Sequence, residues 1–180
     1  MSKIKSNSSM SKLSEFRNWY EFKTDKSKLE NKLNSIIDFY VFSCPSYNTN
    51  VQAMQLSDYG WVKGVDKSSL TKRLKNIFPK GKFVNVNTYD ELFDSLNNIE
   101  ELIKVKTICE SVCIKTDNSA IAEALFYAIR NAYAHGSFTM KKIKGEAYFI
   151  LENRKRGVLT ARMIVKAQTL EKWIEILKNK

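Results

Sequence analysis

The sequence predicts a mainly all-α protein, a helical bundle of four or more helices with one small β-hairpin before the last helix. Three observations carry this. Only 2 prolines and 6 glycines occur in 180 residues, too few for an all-β sandwich, which needs a turn about every 8–12 residues. Apolar residues recur at helical period along most of the chain. The β-prone runs gather in one place, about residues 146–165.

Residues 1–10 read as a flexible tail and 11–180 as a single domain. A first helix covers about residues 11–23, with Leu13, Phe16 and Tyr20 on one stripe. Ser27 and Glu30 have capping-box spacing. Leu29, Leu33, Ile36, Ile37 and Tyr40 carry a second helix from there to about Phe42, and Pro45 ends it. Residues 46–64 read as a loop with a single helical turn. Asp66 is placed to cap a short basic helix to about Ile77, which displays Lys67, Lys72, Arg73 and Lys75 and is broken by Pro79-Lys80-Gly81-Lys82. Thr88 and Glu91 make a second capping box, from which Leu92, Leu96, Ile99 and Ile103 define a stripe. That pattern continues through Val105, Ile108, Cys109, Val112 and Cys113. A turn and cap cluster at residues 116–119 precedes a helix marked by Ile121, Ala122, Leu125, Phe126, Ile129 and Tyr133. Gly136 stands where a left-handed C-terminal cap belongs. Residues 146–152 and 158–165 are β-prone runs joined by Asn153-Arg154-Lys155-Arg156-Gly157, a hairpin with a strongly basic turn. Leu170, Trp173, Ile174 and Leu177 mark a final helix from about Thr169.

A chain of this length buries about 70% of the surface it would expose unfolded, so it needs no disulfide or metal staple. With 43% hydrophobic and 12% aromatic residues it lies outside the disordered class. Lys and Arg number 30 against 19 acids, a net charge of +11. Residues 1–87 carry +8, residues 88–123 carry −5 and residues 124–180 carry +8. Such a field concentrates polyanions, nucleic acid first among them. Because 24 of the 30 basic residues are Lys, composition alone is equally compatible with a plain solvated surface. Three cysteines without framework spacing point to a reducing compartment. A zinc site would have to recruit Cys44 and His135 without any CxxC or HxxxH spacing, so no metal or other cofactor is expected. The opening MSKIKSNSSM lacks the apolar core of a signal peptide. No apolar run approaches the ~18–20 residues of a membrane span, and a cytoplasmic protein is expected.

One segment concentrates chemistry-bearing side chains: Ile129-Arg130-Asn131-Ala132-Tyr133-Ala134-His135-Gly136-Ser137-Phe138. It places an Arg, an Asn and the sole His within one and a half turns of a helix end. Arg130 and His135 lie about 140° apart in azimuth on an ideal helix, a gap that the turn at Gly136 and the long Arg side chain could close. Together they would offer a fixed cation and a base titrating near neutral pH, a pair suited to phosphodiester chemistry. A His before a C-terminal Gly also suits the helix dipole and the last carbonyls, and an Arg one turn earlier is equally at home as a surface residue.

The Arg-Asn-x-x-x-His segment resembles the R-x(4–6)-H signature of the HEPN superfamily, higher eukaryote and prokaryote nucleotide-binding domains, in which a polar residue follows the Arg. The wording is similar to that of bacterial HEPN proteins of phage-defence and plasmid toxin systems, and the resemblance covers about residues 120–178. It implies a metal-independent endoribonuclease, a toxin or abortive-infection effector, working as a homodimer whose motif helices line a shared cleft. Arg130 would bind the scissile phosphate, His135 would move protons at the 2′-OH or the leaving oxygen, and Asn131 would orient either. The products would be a 2′,3′-cyclic phosphate and a 5′-OH. Lys141, Lys142, Lys144, Arg154, Lys155, Arg156 and Arg162 would form the RNA track. The same chain read as a binding module would hold RNA or nucleotide without cutting it. A third reading makes it the partner of an antitoxin or of a minimal nucleotidyltransferase, with Tyr133 as the acceptor of the modification.

Overall fold

The computed structural model describes residues 33–45, 54–62, 64–78, 83–88, 91–92, 110–116 and 121–180. The predicted tail, the first helix and the Ser27/Glu30 box lie outside the described residues, as do residues 93–109. In chain order the described elements are helix α1 (residues 33–43, its end Phe39–Ser43 wound as a π-helix) and a 3-10 turn, Leu56–Tyr59. Helix α2 (Gly64–Lys75) and strands β1 (Phe83–Val86) and β2 (Ser111–Lys115) follow. Then come helix α3 (Ile121–Ala134), strands β3 (Phe138–Ile143), β4 (Glu146–Lys155) and β5 (Val158–Lys166), and helix α4 (Ala167–Lys178).

Among the described residues the strands join in one five-stranded sheet of order β1-β2-β5-β4-β3. β1 and β2 run parallel, and every other pairing is antiparallel. This overturns the mainly all-α bundle that the sequence suggests: the protein is a mixed α/β structure, and the hairpin is the middle of a large sheet. The physical reason is clearest at β2. Ser111, Val112, Cys113 and Ile114 are all buried, because β2 lies inside the sheet and packs on both faces. Such a strand shows a continuous apolar run with no alternation, and periodicity cannot tell it from buried helix. Cys113, expected on a helix, is therefore a strand residue facing Arg162 across the β2–β5 pair.

Local signals fare better. The Thr88/Glu91 box is formed: Glu91 Oε2 accepts from the Asn87 and Thr88 N–H groups at 3.1 and 3.3 Å, and Glu91 N–H donates to Thr88 Oγ1 at 3.2 Å. α2 starts at Gly64, and Asp66 in its first turn pairs with Lys180 Nζ at 2.7 Å. Both hairpin turns, Lys144-Gly145 and Arg156-Gly157, hold two residues at positive φ (49° and 85°, 51° and 80°), the type I′ pattern that matches the twist of the strands. An added Cβ at Gly157 would meet nothing within 4 Å, so only backbone strain opposes it. Gly157→Ala is expected to cost about 1–2 kcal/mol, and Arg156→Asn to gain a few tenths, both readable in urea melts.

One face of the sheet carries the main core. Val112, Ile114, Met140, Phe149, Leu151, Met163 and Val165 meet α1, α3 and α4 there, with Phe126 and Trp173 at the centre. Buried donors tie these layers to backbone carbonyls: Tyr40 Oη to Leu170 O (3.0 Å), Trp61 Nε1 to Leu177 O (2.7 Å) and Trp173 Nε1 to Leu74 O (3.1 Å). The other face holds a second cluster of Val86, Leu92, Cys113, Tyr148, Ile150, Leu159 and Ile164.

Burial pushes the Tyr40 and Tyr133 phenols and the Cys44 thiol well above their ordinary ranges. In the unfolded chain these groups ionise near pH 10 and 8.5, while the native state keeps its protons. Above those values the unfolded state binds fewer protons, so stability falls as pH rises. Tm is expected to hold steady to about pH 8.5 and then to decline steeply towards pH 11; a flat profile would contradict the burial.

Candidate functional site

The segment singled out in the sequence is the C-terminal end of α3 and the turn into β3. α3 is amphipathic, with Ile121, Leu125, Phe126, Ile129, Ala132 and Tyr133 buried. It ends in a Schellman motif: Ser137 N–H donates to Ala132 O at 2.8 Å and Gly136 N–H to Tyr133 O at 3.2 Å, with Gly136 at φ 62°. His135 is the cap residue and is exposed. Its own N–H still closes a helical bond to Asn131 O at 3.0 Å, so His135 stands one turn beyond Asn131 on the same face of α3.

Arg130 and Asn131 turn to different neighbours. Arg130, half-buried, donates its Nε–H to Val41 O in the π-wound end of α1 at 3.3 Å, and its cation opposes part of the burial effect on Cys44. Asn131 faces the sheet. Its amide donates to Asn153 Oδ1 on β4 (3.2 Å), Asn153 Nδ2 donates to Thr160 Oγ1 on β5 (2.8 Å), and Thr160 Oγ1 donates back to Asn153 O (3.2 Å). Thr160 reaches this position because β5 bulges there. Asn153 pairs with Ala161 and Arg154 with Leu159, leaving Thr160 as the extra residue. Bulges re-aim side chains in this way. The motif segment is thus fastened to the hairpin by side chains, and also by Glu152 N–H donating to Ser137 O at 2.9 Å.

The structure divides the predicted basic track. Lys155 and Arg156 are exposed at the β4–β5 turn, and Lys155 lines a cleft with Ala124, Tyr127 and Ala128, two to three turns before the α3 end. Lys142 and Lys144 are exposed at the opposite end of β4. Lys142 pairs with Ala147, about 17 Å along the strand from Glu152 at ~3.4 Å per residue. Lys141 lies on β3 between them and the α3 end. Arg154 is tied to Glu152 Oε2 and to Gly157 O, both at 3.2 Å. Arg162 is not a surface residue: it is 2% exposed and bonds Glu152 Oε1 at 2.7 Å on the second face of the sheet. Its place is set by the alternation of β5, which sends Ala161 and Met163 to the main core and Arg162 and Ile164 to the other side. Tyr133, 5% exposed, packs between Tyr40, Phe138 and Phe149 at 6.0, 4.9 and 5.6 Å. Its hydroxyl is buried without a hydrogen-bond partner, so it is not presented for modification in this conformation.

Sequence reasoning missed the cleft beside this segment. It encloses about 450 Å³ between α3 and the sheet, lined by Ala124, Tyr127 and Ala128 of α3, Lys115 of β2, and Asn153, Lys155 and Thr160 of the hairpin. Asn153 and Thr160 were legible only as a turn residue and a β-prone residue. Their convergence depends on the bulge and on strands distant in sequence. Among the described residues no three or more His, Cys, Asp or Glu side chains gather as metal ligands, and no helix is long and apolar enough to cross a membrane. No family model, curated protein or solved structure matches the chain.

Proposed function

We propose that the protein binds single-stranded RNA at the end of α3 and cleaves it by attack of the ribose 2′-OH, without a metal ion. The observation that carries this is the exposed His135, held by the Schellman cap one turn beyond Asn131, whose amide is bonded to β4. His135 removes the proton of the 2′-OH. The oxygen then bonds to phosphorus while the bond to the 5′-oxygen breaks, and the leaving oxygen takes up a proton. The ends left are a 2′,3′-cyclic phosphate and a 5′-OH. General acid–base catalysis by one positioned side chain supplies about 10²–10⁴ in rate. One His per chain favours a homodimer in which His135 of a second copy protonates the leaving group. Lys155 and Arg156 draw the phosphates towards the site. The likeness of the Arg130–His135 segment to HEPN ribonucleases supports the reading, and with it a role as a toxin or phage-defence effector.

A second reading, RNA binding without cleavage, is favoured by one specific bond. The Arg130 Nε–H is directed to Val41 O, and a cation spent on a helix end is less available to a transition state. Incubation of the full chain with total RNA and a single-stranded oligoribonucleotide in EDTA separates the two. Cleavage that leaves cyclic-phosphate ends, and is absent from the 2′-deoxy oligonucleotide, supports the ribonuclease. Salt-dependent binding with intact RNA supports the binder.

A further inference from the structure

We infer that the cleft between α3 and the hairpin is a base-recognition subsite that takes one unpaired nucleotide of the RNA next to the cleavage centre. The inference rests on the RNA reading above and names how that site selects its substrate. The volume of about 450 Å³ falls within the range of small-ligand pockets, ~300–1,000 Å³. Its wall on α3 is made of the half-buried Tyr127 and the small Ala124, one aromatic ring beside open space where a base can lie. Bases stack on such rings with little regard to sequence.

Selection comes from the opposite wall. Asn153 is buried, and its amide has two N–H groups and two lone pairs. One N–H goes to Thr160 and one lone pair is taken by Asn131. That leaves the amide one further N–H and one further lone pair, a donor and an acceptor of the kind that a nucleobase edge can meet. The Asn131 and Thr160 bonds fix the amide plane, so it meets a base already oriented. Lys115 and Lys155 line the same cleft and supply positive charge for the nucleotide's phosphate. From Ala128 to His135 the helix rises about 10 Å, which places the held base close to, and not on, the phosphodiester beside which His135 takes the 2′-OH proton.

The test uses the full chain and a short oligoribonucleotide made with and without a base at each position in turn, with binding measured by fluorescence anisotropy in EDTA. One abasic position is expected to weaken binding about tenfold, and the neighbouring positions much less. Ala124→Leu fills the cleft with a good helix former and is expected to erase that difference, lowering the affinity for the intact oligonucleotide to that for the abasic one. Lys155→Gln, an exposed substitution that does not endanger folding, is expected to weaken both oligonucleotides several-fold and to flatten their salt dependence. If RNA binds but no abasic position matters, or Ala124→Leu leaves the difference intact, the subsite is wrong and the RNA reading stands. If the wild-type chain binds no RNA, both fall.

Discussion

Glu152→Ala is expected to lower the unfolding free energy by about 3–5 kcal/mol, read as a fall in the urea midpoint at unchanged slope. Glu152 is held against two arginines of the hairpin: its Oε1 accepts from Arg162 Nε at 2.7 Å and its Oε2 from Arg154 Nη2 at 3.2 Å. Arg154 keeps some access to water, but Arg162 is buried between β2 and β4. Removing the carboxylate takes a 2.7 Å ion pair from a guanidinium that is 2% exposed, where water cannot replace it. The loss is large against the ~5–15 kcal/mol that hold a typical domain. Replacing both partners with apolar residues, as in Glu152→Leu with Arg162→Met, is expected to recover most of it, because the paired charges offset little more than their own desolvation. A Glu152→Ala variant within 1 kcal/mol of wild type would show that Arg162 finds another partner or reaches solvent.

The same pair shows where sequence reading stops. Arg162 lies in a β-prone run close to other basic residues, and chain proximity invited its assignment to an RNA track. The alternation of β5 instead turns it to the second face of the sheet, and that face is covered: its own apolar cluster includes Leu92 and Val86. A peripheral hairpin implies a solvated outer face, whereas here the second apolar cluster covers that face of β5. Chain proximity likewise groups Lys142 and Lys144 with Lys155 and Arg156, and the ten residues of β4 hold the two pairs apart. What was legible was local. Gly136 as the left-handed cap, the Thr88/Glu91 box, the periods of α3 and α4 and the two β-prone runs each depend on a few neighbouring residues. β1, β2 and β3 depend on partners far along the chain, and the Asn131–Asn153–Thr160 chain of hydrogen bonds depends on a bulge.

His135→Ala is expected to reduce RNA cleavage by 10²–10⁴-fold with Tm almost unchanged, and Arg130→Ala to reduce both together. His135 is exposed, and its contribution to the fold is confined to the helix end, about 0.3–1 kcal/mol at most. Its loss removes the proposed proton-transfer group and little else. Arg130 bonds the Val41 carbonyl across the α1–α3 contact, and a hydrogen bond from a charged group is worth about 1.5–3 kcal/mol. In a chain of this size that corresponds to about 3–12 °C in Tm. The two variants therefore separate chemistry from architecture in one pair of assays, a melt and a cleavage time course in EDTA. A second measurement assigns Arg130. If it contacts phosphate as well as Val41, the slope of log affinity against log salt falls by about one charge in Arg130→Ala. With the Val41 bond as its role, the slope is expected to stay at the wild-type value while Tm drops. A His135→Ala protein that still cuts at the wild-type rate would remove the site from the end of α3 altogether.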